Sequence, residues 1–155
     1  MRPAIGIDFG TTNSVVAMVA ADGTVRTLNR ATGEVFRSVL CFWAGADGHT
    51  RNAAGPAAIE AYLEEPLESR LIMSMKSYLA QHSFTETRIF GRAWGLEGLV
   101  ALFLRDLLAP FAAELADARV TVGRPVRFVG ERADDGFGEK RLRAAFAEAG
   151  LGQVG

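Results

Sequence analysis

The chain has little of what builds a metal or disulfide scaffold. Its single cysteine, Cys41, excludes an internal disulfide framework and any multi-cysteine metal site. The two histidines, His49 and His82, lie far apart and lack metal-ligand spacing. No apolar run approaches the ~20 residues needed to cross a bilayer. Charge of one sign is not in excess. The formal net charge is −1, which implies neither a nucleic-acid nor an anionic-membrane partner. The first apolar strand begins almost at Met1, so no signal peptide is read there and a cytoplasmic setting is expected. No G-x-x-x-x-G-K-[ST] loop occurs. Asp8-Phe9-Gly10 spells the protein-kinase triplet, but no catalytic loop or lysine-bearing strand precedes it.

What remains is an ordinary globular balance. The 155 residues are 49% hydrophobic and 23% charged, enough for one domain or part of one. The most informative stretch is Ile5-Gly6-Ile7-Asp8-Phe9-Gly10-Thr11-Thr12-Asn13-Ser14-Val15-Val16-Ala17. Ile5 and Ile7 alternate as one buried face of a strand does. Asp8 closes that strand, and a carboxylate there suits a hydrated magnesium, which prefers hard oxygen ligands and keeps several waters. Gly10 permits a tight turn and close approach of a ligand to the backbone. Successive N–H groups in such a turn form an anion-binding concavity. Thr11, Thr12 and Asn13 add side-chain donors. An ordinary β-turn is the plain alternative, since Gly and Asn mark turns widely.

Further on, 24–28 reads as a third strand after the Ala21-Asp22-Gly23 turn, giving an N-terminal meander. Residues 29–37 read as a polar loop, 38–43 as a strand, and 53–64 as a helix with Ala57, Ala58, Ala61 and Tyr62 inward. The stretch 89–94 is ambiguous. The strongest helical spacing covers 98–115, with Leu99, Leu102, Phe103, Leu107, Phe111 and Leu115 on one face. Pro110 inside it would cost up to ~3 kcal/mol in a continuous helix, so a break near Ala109 is expected. A short buried strand follows at 119–122, expected to join the meander in one mixed sheet. After a loop through Asp134-Asp135-Gly136 comes a last helix over 138–149, with Leu142, Ala145, Phe146 and Ala149 inward and Gly150 as its stop.

The run Gly6-Ile7-Asp8-Phe9-Gly10-Thr11-Thr12-Asn13-Ser14 resembles the first phosphate loop of the actin-like ATPase superfamily, and within it that of the DnaK-type heat-shock chaperones. Ser74-Met75-Lys76-Ser77-Tyr78-Leu79 is similar to the segment carrying that family's catalytic lysine. Gly55-Pro56-Ala57-Ala58 and Ala149-Gly150-Leu151 also match. Val122-Gly123-Arg124-Pro125 with Met75-Lys76-Ser77-Tyr78 looks closest to the YegD-like branch. The family's fixed Pro-Ser segment is replaced here by Arg37-Ser38 without the proline.

The resemblance implies an α/β fold of the ribonuclease H-like, actin-like ATPase lobe type. That is a mixed sheet from the meander plus a later strand, with packing helices and an inserted subdomain. It divides the chain into a core part at 1–37, an inserted smaller subdomain at 38–97, and a return to the core at 98–155. It implies ATP or ADP with Mg as cofactors. Asp8 would organise the metal through water, and Gly10, Thr11, Thr12 and Asn13 would wrap the phosphates. Lys76 would be catalytic together with Asp8. Expected partners are nucleotide, the remaining ATPase lobe, and protein clients or co-chaperones.

The family's catalytic glutamate, second phosphate loop (Asp-x-Gly-x-Gly-Thr) and adenosine pocket have no counterpart in the chain. A single lobe is therefore expected, binding ATP weakly and hydrolysing it negligibly by itself. Uncovered apolar helix surface and self-association are expected as well. A small-molecule kinase of sugar type shares the actin-like fold and is the main alternative; a non-catalytic interaction module is a third.

Overall fold

The computed structural model describes residues 2–28, 33, 35–151 and 155. The chain is mixed α/β, and the strands among the described residues are divided among three sheets. It opens with the meander β1 (Ala4–Phe9), β2 (Asn13–Val19) and β3 (Val25–Thr27). The alternation in β1 is realised in full: Ile5, Ile7 and Phe9 are buried, while Gly6 and Asp8 face outward. Asp22 closes the β2–β3 turn by accepting a hydrogen bond from the Thr24 amide at 2.9 Å. A two-residue strand, β4 (Phe36–Arg37), lies within the stretch read as a loop. It pairs with the first residues of β2, Asn13 opposite Arg37 and Ser14 opposite Phe36.

The second sheet comprises β5 (Leu40–Ala44), β6 (Thr50–Ala54) and, after helix α1 (Pro56–Glu64), β7 (Ser69–Ile72), in the order β6-β5-β7. The helix expected from Ala53 therefore begins later, at Pro56. Ala53 and Ala54 belong to β6, opposite Cys41 and Leu40. Proline suits a first helical position because its missing N–H would have no partner there. Ala58 is the buried residue of α1; Ala57, expected inside, is exposed. Ser38 and Val39 precede β5 rather than form part of it.

A 3₁₀ turn at Met75–Tyr78 leads to the hairpin β8 (Glu86–Ile89) and β9 (Arg92–Gly95). Phe90 and Gly91 at its tip both have positive φ, 47° and 82°, as a type I′ turn requires.

Helix α2 (Leu96–Leu108) starts two positions before the expected Gly98 and stops where Pro110 demands. Ala109–Phe111 form a 3₁₀ turn, and α3 (Ala112–Asp117) resumes beyond it. Strand β10 (Arg119–Gly123) then runs parallel to β1, which completes the sheet order β10-β1-β2-β3. Gly155 makes two backbone hydrogen bonds to the other edge of β10, with Val120 O and Val122 N. The final helix, α4 (Asp135–Glu148), begins three positions earlier than expected. The Asp134 carboxylate caps it by accepting from the Phe137 amide at 2.9 Å.

One core runs beneath both larger sheets. Ile5, Ile7, Phe9 and Val16 meet Leu40, Phe42 and Ala54 in it, with Leu99, Phe103 and Leu107 of α2 and Leu142 and Phe146 of α4. Phe103 packs its ring against Phe9 at 5.6 Å and Phe36 at 5.7 Å between centroids. A smaller cluster of Val39, Cys41 and Ala58 fixes α1 to the second sheet. Of the helices expected to expose apolar surface, α1 does so at Leu63, 70% exposed, while α2 and α4 do not. The largest exposed apolar side chains, such as Leu67 and Val126, lie outside them. Among the described residues no helix is long and apolar enough to cross a membrane.

Candidate functional site

The site begins on the outward face of the first sheet. Because β1 alternates, Asp8 must project opposite to Ile7 and Phe9. Its strand neighbours are Val15 on β2 and Gly123 on β10. Together with Gly6, Ala17 and Thr121 these residues line an open depression of about 460 Å³. Small residues surround the carboxylate, so a ligand can reach the sheet backbone beside it.

Next to Asp8 the chain turns through Gly10, Thr11 and Thr12, and Asn13 already belongs to β2. Gly10 is required there by close approach. A Cβ on it would lie 2.1 Å from the Asn13 carbonyl oxygen, inside any allowed contact. Thr12 and Asn13 are exposed, and Gly10 and Thr11 partly so.

The turn is braced from behind. The Ser38 amide donates to Thr12 O at 2.9 Å, and the buried hydroxyls of Ser14 and Ser38 are 2.8 Å apart. With the β4 pairing to Asn13 and Ser14, this holds the tip from one side and leaves its other side open.

Lys76 sits on the 3₁₀ turn after β7. Met75 beside it is buried in the core and anchors the turn. Ser74 enters the turn with φ of 57°, a left-handed conformation that a serine adopts at a cost, and sharp re-aiming of the chain results. The Lys76 ammonium is half-buried, and burial lowers its pKa below the ordinary lysine value; the negative charge of Asp8 acts in the opposite sense. The charge of Asp8 thus acts on Lys76, which is distant from it in sequence.

The donor set fits a largely hydrated magnesium rather than a protein cage. Among the described residues no group of three or more His, Cys, Asp or Glu could hold a metal. One carboxylate is enough for Mg²⁺ when phosphate oxygens and waters supply its other ligands. His82 is engaged elsewhere, at the α4 cap. Its Nε2 lies 3.0 Å from Asp134 Oδ2, and its ring is stacked 3.9 Å from that of Phe137.

Two buried polar residues were not read as site residues from the sequence. Ser38 ties the turn to β4, and Arg141 on α4 is buried with its charge. Arg141 had a legible signal, since it falls within the inward face defined by Leu142, Ala145 and Phe146. Ser38 was legible as the serine of the segment that replaces the family's Pro-Ser, but its pairing with Ser14 was not, because it is set by strand pairing.

No family model matches the chain, and no curated protein matches it.

Proposed function

We propose that the chain is a lobe of an ATP-binding, chaperone-like ATPase with the actin-like fold, DnaK-type and of the YegD-like branch, and that its Asp8–Lys76 region takes the phosphates of Mg-ATP. The observation supporting this reading is the outward-facing Asp8, in an open depression, followed directly by a turn whose Gly10 allows no side chain.

In this role the N–H groups of the turn, with Thr11, Thr12 and Asn13, receive phosphate oxygens. Asp8 would hold a hydrated Mg²⁺ through its waters and orient them. The bound cation would neutralise charge on the β- and γ-phosphates. Lys76 holds its ammonium toward the γ-phosphate, where partial burial strengthens its attraction for the charge that develops in transfer. In a chaperone-like ATPase of this kind, nucleotide state would be coupled to lobe closure. The depression beside Asp8 is open, so this wall alone does not exclude water. Weak nucleotide binding and negligible turnover by the chain are expected.

Titrating the labelled chain with Mg-ATP while following amide resonances tests the reading. Shifts confined to residues 8–14 and 74–78, dependent on Mg²⁺ and reduced by Asp8→Asn, are expected. No shift there at millimolar nucleotide would overturn it. Sub-micromolar affinity would refute the expectation of a weak half-site.

A further inference from the structure

We propose that Arg141 is a positioning residue for Lys76: its buried guanidinium clamps the chain leaving the Lys76 turn onto α4 and α2 and thereby fixes where the ammonium stands. The functional meaning of this rests on the reading of Lys76 given above, but the geometry of the clamp does not.

Arg141 projects from the inward face of α4 and is 4% exposed. A guanidinium in such a place requires both a counter-charge and acceptors for its remaining N–H groups. Glu97, in the first turn of α2, supplies the counter-charge. Its Oε1 lies 2.6 Å from Arg141 Nε and its Oε2 3.3 Å from Nη2, a two-point pairing. The third nitrogen, Nη1, points the other way. It is shared among three backbone carbonyls, those of Tyr78 (3.4 Å), Gln81 (3.4 Å) and Phe84 (3.1 Å). The Phe137 ring lies beneath the guanidinium, 5.2 Å from its carbon.

The three carbonyls belong to one segment, and Tyr78 is the last residue of the turn that bears Lys76. Gln81 tightens the same segment by donating from Nε2 to the Ser77 carbonyl at 2.9 Å. The turn is thus held at both ends. Met75 is buried in the core before Lys76, and Arg141 grips the carbonyls after it. Leu79 and Ala80, fully buried after the turn, hold the side chains of this segment in the core, whereas the carbonyls of Tyr78, Gln81 and Phe84 are held by Arg141. The clamp adds a polar hold on the backbone of this segment, and it ties the aim of Lys76 to the relative placement of α2 and α4.

A side chain that only stabilised the fold would not change the surroundings of one lysine. The sequence contains just two lysines, Lys76 and the exposed Lys140, so ¹³C-lysine labelling yields a two-resonance Cε spectrum. Lys140→Arg assigns it. In the nucleotide-free full chain the Lys76 resonance should be displaced from the free-lysine position and that of Lys140 should not. In Arg141→Met, with circular dichroism unchanged, the Lys76 resonance should move to the free-lysine position while Lys140 stays. Glu97→Gln keeps an acceptor but removes the counter-charge, and it should move Lys76 part of the way. If Arg141→Met fails to fold, Glu97→Gln decides. A Lys76 resonance unmoved in a folded variant, even one with a lowered melting temperature, overturns the proposal. No nucleotide enters this experiment, so its failure leaves the phosphate site untouched. Conversely, a moved Lys76 resonance in a chain that ignores Mg-ATP would keep the clamp and discard the nucleotide.

Discussion

The side-chain hydroxyls of Ser14 and Ser38 lie 2.8 Å apart, each 1% exposed, and join the start of β2 to the chain just after β4. Either can donate to the other, and truncating one strands its partner away from water. Ser38→Ala is expected to cost about 1–3 kcal/mol in urea unfolding, the penalty of an unsatisfied buried hydroxyl. Replacing both serines by alanine should cost less than the sum of the single changes. An additive double-mutant cycle would show that the pair does not couple.

Gly10→Ala places a methyl group 2.1 Å from the Asn13 carbonyl oxygen, and a backbone atom cannot step aside as a flexible side chain could. The turn between β1 and β2 must change shape. The amide resonances of residues 10–13 are expected to shift strongly while those of α2 and α4 stay in place. An unperturbed turn would refute the close approach.

Burial lowers the Lys76 pKa, with Asp8 opposing, so the folded chain holds this proton less firmly than the unfolded one does. Between the lowered value and the ordinary 10.5 the unfolded state carries more protons, and stability contributed here rises with pH. Lys76→Met should therefore stabilise the chain at pH 7, and the gain should shrink as pH approaches 10.5. Melting curves at the two pH values check this; a loss at pH 7 would contradict it.

Burial acts to raise the Glu97 pKa, but the hydrogen bond and charge of Arg141 outweigh it and the carboxyl titrates below its ordinary 4.5. A depressed carboxylate stabilises the fold above its unfolded value, and that contribution is lost as pH falls through the folded one. Asp134 is lowered by the Phe137 amide and by His82, and acts in the same direction. Glu97→Gln should give a lower but flatter stability profile below pH 4.5 than the parent chain. Parallel profiles would show that the pair does not drive acid unfolding.

Phe103 is fully buried between the rings of Phe9 and Phe36. Phe103→Ala is expected to cost about 3–5 kcal/mol, the range for emptying an aromatic site in a core. A markedly smaller loss in calorimetry would mean that the site collapses around the gap.

The sequence carried the parts of this fold that rest on local pattern. Ile5, Ile7 and Phe9 announce β1 because alternation is written residue by residue, and the stripe from Leu99 to Phe111 announces α2 and its break at Pro110. Strand β6 could not be read in this way. Thr50, Arg51 and Asn52 are exposed, and only their pairing with Ala44, Trp43 and Phe42 makes them a strand. Strand β4 is two residues long and exists through Asn13 and Ser14 alone. The Asp8 turn was legible as a motif. Its nearness to Lys76, its brace at Ser38 and the clamp at Arg141 arise from long-range contacts, which no local period records.

The single core beneath both larger sheets has a mechanical consequence. Phe42 and Leu40 from one sheet and Ile5 and Phe9 from the other are sealed in the same apolar interior. No lubricated plane separates them, so the turn at Gly10 and the turn at Lys76 share one chassis. A force applied to either sheet is transmitted to both turns together, and the backbone spacing between the two turns behaves as a fixed gauge. Heat should erase that gauge in one cooperative step, with the amides of β1 and β5 losing their protection together.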